Sequence, residues 1–301
     1  MIQVGIFTGY FPYSLEETAQ KIRALNFNTV QLDVSFKDMD LSTDQINSEK
    51  CKKIRDTFRT YNLPVSCVSG YTNLVNPDPA KRKKNLDHLK QIIRYANELG
   101  SPYVISESGT YDPDSDWVHH PKNKTEEGYQ ECREVIQELV DFSRGYGVTF
   151  LVETYVNNVI GSIDETQRLF ADIDDPNLGL LMDPTNYFED HNIDQMDKTL
   201  NQIFNALSDR IKISHAKDVM RAASAQGVQM ADIDASEAHA FRGVGAIELP
   251  APGLGSLNYD LYLQRLSRKY PNIPIIIEHL EESDVPRAKK FIDSKLLANG
   301  C

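Results

Sequence analysis

The chain has 301 residues, enough for one large α/β domain or two of about 150. Apolar residues make up 41% and charged residues 25%, an ordinary balance for a soluble globular protein, and no run approaches the roughly 18 consecutive apolar residues of a membrane span. With 44 acidic against 32 basic side chains the net charge is -12, a field that repels nucleic-acid phosphates and anionic membranes.

The first β-rich run is Ile2–Phe7, with no basic segment or cleavage site of a secretory leader around it, which points to a cytoplasmic location. An amphipathic helix follows from Ser14 to Leu25; Ser14 and Glu17 have the spacing of a capping box. Next come a run at Thr29–Asp33 with a helix at Thr43–Tyr61, and Pro64–Ser69 with Pro79–Leu99. Tyr103–Glu107 with Thr125–Arg144 and Thr149–Glu153 with Ser162–Asp172 continue the alternation. Leu178–Asp183 with Asp194–Leu207, Ile211–His215 with Tyr259–Tyr270, and Ile275–Glu278 with Ser283–Leu297 complete eight pairs. Strict βα alternation calls for parallel strands joined by crossover helices. Eight such units, with no GxGxxG after the first strand, predict a single (β/α)8 TIM barrel over 1–301 rather than an open dinucleotide-binding sheet. Cysteines at 51, 67, 132 and 301 form no CxxC, so reduced thiols are expected. The longest irregular stretch, about 219–256 between strand seven and its helix, is rich in glycine and proline. On the C-terminal face of a barrel it is expected to act as a lid or substrate cover.

Reactive residues of such a barrel project from the C-terminal ends of its strands. The last four runs end in Glu153, Asp183, His215 and Glu278, separated by 30, 32 and 63 residues. The first two gaps are one βα unit each; the third is one unit plus the long loop. Each residue alone has an ordinary reading: Asp183 before Pro184 is a turn former, a carboxylate pairs with a neighbouring cation, a histidine packs in the core. Four in register on successive strands would repel one another unless a cation lay among them. Three carboxylates and an imidazole suit one divalent metal ion, Mn²⁺, Mg²⁺, Co²⁺ or Zn²⁺.

This set of four, with the order and spacing of the strands, resembles the xylose isomerase-like barrels, especially D-tagatose 3-epimerase and its sugar isomerase relatives. The strings Trp117-Val118-His119-His120-Pro121, His215-Ala216-Lys217-Asp218, Pro252-Gly253-Leu254-Gly255 and Ile277-Glu278-His279 add to the resemblance. It implies a metal-dependent isomerase or epimerase acting on a small sugar or sugar-like substrate. Glu153 and Glu278 would move a proton next to the carbonyl, and the metal would steady the charge of an enediolate. Such enzymes commonly carry a histidine three residues after the strand-six aspartate, where this chain has Asn186, and an arginine near the position of Arg221. Lys217, Asp218, Glu107, Trp117 and His119 are further candidates to bind substrate. Nothing in the sequence decides the oligomeric state, which leaves room for a homo-oligomer.

Three other functions fit the same barrel. An inosose-type dehydratase would abstract the same proton and then expel a hydroxyl. An endonuclease IV-like abasic-site nuclease would need further histidines and a less acidic surface. A barrel that binds a sugar without turning it over uses the same pocket.

Overall fold

The computed structural model describes residues 1–224, 227, 243 and 245–301. Runs of leucine, isoleucine and valine form β1 (Gln3–Phe7), β2 (Thr29–Leu32), β3 (Val65–Ser69), β4 (Tyr103–Glu107), β5 (Thr149–Glu153), β6 (Leu178–Met182) and β7 (Ile211–Ala216). Two short strands, β8 (Met220–Arg221) and β9 (Ile247–Glu248), pair antiparallel with each other, outside the ring. β10 (Pro274–Ile277) then inserts between β7 and β1 and closes an eight-stranded parallel barrel. The helices are α1 (Leu15–Ala24), α2 (Ser48–Thr60), α3 (Pro79–Leu99), α4 (Glu126–Gly145), α5 (Ile163–Asp172), α6 (Met196–Leu207), α7 (Tyr259–Lys269) and α8 (Val285–Asn299). The (β/α)8 architecture expected from the alternation is present.

Several helices begin where a side chain can satisfy their first free N–H groups. Ser14 accepts from Glu17 N, Thr125 from Gly128 N, and Ser162 from Glu165 N; such caps contribute about 1 kcal/mol each. α2 starts at Ser48, not at Thr43 as expected. Asn47 accepts from Lys50 N at 3.0 Å and so fixes the start, while the carbonyl of Ser42 takes the N–H groups of Gln45 and Ile46 in a turn.

The side chains of a strand alternate between its two faces. On the outer face Val30, Val68, Val104, Phe150, Leu180 and Ile275 pack against the helices in the main core. On the inner face Cys67, Ile105, Leu151, Leu181, Ile213 and Ile276 form a separate apolar layer inside the barrel. Two residues further along each of five of these strands stand Glu107, Glu153, Asp183, His215 and Glu278. The apolar layer therefore forms the floor on which a polar layer rests. Among the described residues no helix is long and apolar enough to cross a membrane.

Candidate metal centre

Glu153 ends β5, and His215 is the penultimate residue of β7. Asp183 and Glu278 lie one residue beyond β6 and β10. Asp183 opens a 3-10 turn over Pro184–Tyr187, and its Oδ1 accepts from Thr185 N at 2.9 Å and Thr185 Oγ1 at 2.6 Å. The turn thus occupies one carboxylate oxygen and leaves Oδ2 for the barrel axis. Glu278 N donates to Ala216 O at 3.0 Å, which continues the ladder and holds Glu278 beside His215.

One ligand-type atom from each of Glu153, Asp183, His215 and Glu278 lies within 4.8 Å of all the others, and all four residues are buried. His215 Nδ1 is 3.1 Å from Glu278 Oε2, 3.3 Å from Glu153 Oε1 and 3.6 Å from Asp183 Oδ2. His215 Nδ1 makes no hydrogen bond, and Asp183 Oδ2 has only the ion pair with Lys217. Burying charges costs several kcal/mol per ion unless they are compensated. A buried imidazole nitrogen without a hydrogen bond among three carboxylates is what a divalent cation would satisfy, and the donor set of one nitrogen and three oxygens fits such an ion.

Other groups already balance part of this charge. Lys217 Nζ is 2.9 Å from Asp183 Oδ2 and 3.9 Å from Glu153 Oε1. Burial would push its ammonium down, but Asp183 and Glu153 overcome that and hold it above its ordinary value. Burial alone would likewise raise Asp183; Lys217 and then His215 keep it well below the usual carboxylate range. His279 sits at φ 59°, donates its backbone N–H to Tyr10 Oη at 2.7 Å, and points Nδ1 at Leu249 O, 2.9 Å away. Its Nε2 is 3.4 Å from Lys217 Nζ. Burial and the Lys217 charge hold this imidazole neutral, well below its ordinary value.

A cavity of about 350 Å³ opens above the cluster, a size suited to a small molecule. Glu107, Trp117, Asn186 and Lys217, all candidates from the sequence, line it with Glu153 and Glu278. Asn186 Nδ2 donates to Glu153 Oε1 at 2.9 Å, and Asn186 Oδ1 is buried without a partner.

Three expected substrate contacts stand elsewhere. Arg221 is on the surface, paired with Asp190 and, at 2.7 Å, with Asp194. Asp218 is turned away from the cavity; its carboxylate accepts from Val219 N, Gly253 N and Leu257 N at 2.8–2.9 Å. Successive residues of an extended strand point in opposite directions, so Lys217 and Asp218 do not share a face. His119 is exposed and does not line the cavity. The expected cover over 219–256 falls in part on 225–226, 228–242 and 244, which lie outside the described residues.

The structure adds residues that the strand ends did not reveal. Gln31 reaches His215 and Glu278 from β2. Tyr71, just past β3, donates its hydroxyl to Glu153 Oε2, and Tyr155 closes part of the cavity wall. A glutamine between Val30 and Leu32 of the buried β2 was the available signal for the first; the others carry none beyond following a strand.

The chain matches no curated protein sequence at a significant level. Among solved structures it is similar to a probable 3-DHS dehydratase involved in petrobactin synthesis from Bacillus anthracis. That pair shares 15% identity and a TM-score of 0.70, over 97% of this chain and 99% of the other. It is also similar to 3-keto-D-glucoside 4-epimerase from E. coli, at 14% identity and a TM-score of 0.68, over 100% of both chains. A xylose isomerase-like TIM barrel protein from Mycobacterium smegmatis, solved in complex with magnesium, shares 16% identity and a TM-score of 0.67, over 100% of this chain and 97% of that one. At these identities the likeness is one of fold. The family model described as xylose isomerase-like TIM barrel matches residues 19–295, and the chain belongs to that family.

Proposed function

We propose that the chain is a divalent-metal-dependent sugar isomerase or epimerase that moves a proton at the carbon next to a carbonyl. One observation carries the reading: four ligand atoms from four strand ends lie within 4.8 Å of one another, and one of them, His215 Nδ1, is buried among three carboxylates without a hydrogen bond. Mn²⁺, Mg²⁺, Co²⁺ or Zn²⁺ held there would supply positive charge for the oxygens that become negative when the C–H bond is broken.

The side chains do the rest. Glu153 and Glu278 are separated around the ring by β6 and β7, so they approach a substrate in the cavity from different sides. One takes the proton as the C–H electron pair moves toward the carbonyl, and the other returns a proton. A positioned carboxylate in this role contributes about 10² to 10⁴ in rate. Asn186 offers its free Oδ1 to a substrate hydroxyl, and Trp117 and Tyr155 provide apolar wall. The substrate is a small polyhydroxylated carbonyl compound.

A second reading, dehydration, is favoured by Lys217, whose ammonium lines the cavity. There it would donate a hydrogen bond to a departing hydroxyl, which would leave as water with the proton that the carboxylate took from carbon. Incubating the metal-loaded protein with ketoses, inososes and hydroxypyruvate in D₂O separates the readings. Deuterium beside the carbonyl with an isomeric product supports isomerisation, and loss of water supports elimination. Absence of exchange with all three classes contradicts the proposal.

A further inference from the structure

The inner face of β2 carries a polar residue where the neighbouring strands carry apolar ones. Gln31 is fully buried and pairs in register with Cys67, a member of the apolar floor. It lies one layer below the ligands, with β1 and β10 between its strand and β7. An uncompensated amide in such a layer costs about 1–3 kcal/mol, so its retention calls for partners.

The partners are ligands of the proposed cation. Gln31 Oε1 lies 2.8 Å from His215 Nε2 and accepts the Cys67 thiol at 3.6 Å. Gln31 Nε2 donates to Glu278 Oε1 at 3.3 Å and to Ser69 Oγ at 3.2 Å. These contacts fix which way the amide faces. Reversed, its oxygen would meet the Glu278 carboxylate and its NH₂ group would face the thiol and an imidazole nitrogen. The amide oxygen therefore faces His215, and Nε2 of the ring must carry a hydrogen. Nδ1, the orphaned atom among the three carboxylates, is then the nitrogen left to bind.

Resting on the metal-centred reading above, we propose that Gln31 is the positioning residue of this site. One amide fixes which nitrogen His215 presents, by accepting from Nε2, and orients the Glu278 carboxylate by donating to Oε1. Partners of metal ligands typically change metal affinity 10–100-fold when removed.

The test is Co²⁺ titration followed by visible absorption, with thermal unfolding of the metal-free proteins as a check of fold. Gln31→Met keeps the volume and removes both hydrogen bonds. It is expected to bind Co²⁺ about 10–100-fold more weakly and to show an altered absorption band. Gln31→Glu retains an acceptor for His215 Nε2–H but sets a second carboxylate against Glu278 Oε1 in place of the amide donor. It too is expected to bind Co²⁺ more weakly and to shift the band. A Gln31→Met protein with parental affinity and band overturns the Gln31 assignment while leaving the metal site standing. A parent protein that binds no Co²⁺ overturns both. Should Gln31→Met fail to fold, the Gln31→Glu titration decides: weaker Co²⁺ binding with a shifted band supports the assignment, parental affinity and band overturn it.

Discussion

Glu107 and Glu153 are register partners on the neighbouring parallel strands β4 and β5, so two carboxylates stand side by side at the C-terminal end of the barrel. Burial, and then the charge of Glu153, raise the Glu107 carboxyl from 4.5 to about 8. The folded metal-free chain thus holds this proton more tightly than the unfolded one. Its contribution to stability is fully present below about 4.5 and is lost as pH rises through about 8. Glu107→Gln keeps the neutral shape and removes the titration. The metal-free variant is expected to match the parent in thermal unfolding near pH 4.5, to gain on it up to pH 8, and to hold that gain above. A pH-independent difference between the two contradicts the assignment.

Asp218 ties the segment that follows β9 back to the end of β7. Its two oxygens take three backbone N–H groups, and a β-carbon on Gly255 would come within 2.5 Å of its Oδ1. In Asp218→Asn one oxygen becomes an NH₂ group, which cannot accept from either segment. A buried donor left unpaired costs about 1–3 kcal/mol. Denaturant unfolding of the metal-free protein should show a loss of this size, and an unchanged midpoint would contradict the role.

The pair expected to move the substrate proton is tested by Glu153→Gln and Glu278→Gln. Each amide keeps the shape of its carboxylate but cannot take a proton. Turnover is expected to fall by about 10² to 10⁴ with circular dichroism unchanged. Full activity in either variant removes the two-carboxylate scheme.

Arg221 supplies the opposite case. It is held at the surface by Asp190 and Asp194, and exposed pairs of this kind contribute little. Arg221→Ala is expected to leave both turnover and thermal unfolding close to the parent's. A large loss of turnover would show that the side chain reaches the substrate.

The barrel and the four ligand positions were legible in the sequence because both follow from simple periods. One βα unit recurs about every 30 residues, and inward side chains recur every second residue of a strand. Leu151 and Glu153, Ile213 and His215, and Ile276 and Glu278 each show that second period. Gln31 escaped because it lies a layer below the strand ends, where only tertiary contact across the ring reveals it. Asp218 and Arg221 stand away from the cavity for a different reason: nearness to a strand end in sequence does not fix the direction of a side chain. Lys217 turns inward, the next residue turns out, and the β8–β9 pair carries Arg221 to the surface. Asn47 set the start of α2 through a cap that the apolar pattern alone did not locate.

The most direct measurement is the number of divalent ions bound per chain. After chelator treatment, dialysis against Mn²⁺ followed by elemental analysis should find one ion in the parent and none retained in Asp183→Asn, with circular dichroism matching in both. A parent that retains no ion, or an Asp183→Asn protein that retains one with parental affinity, would contradict the account.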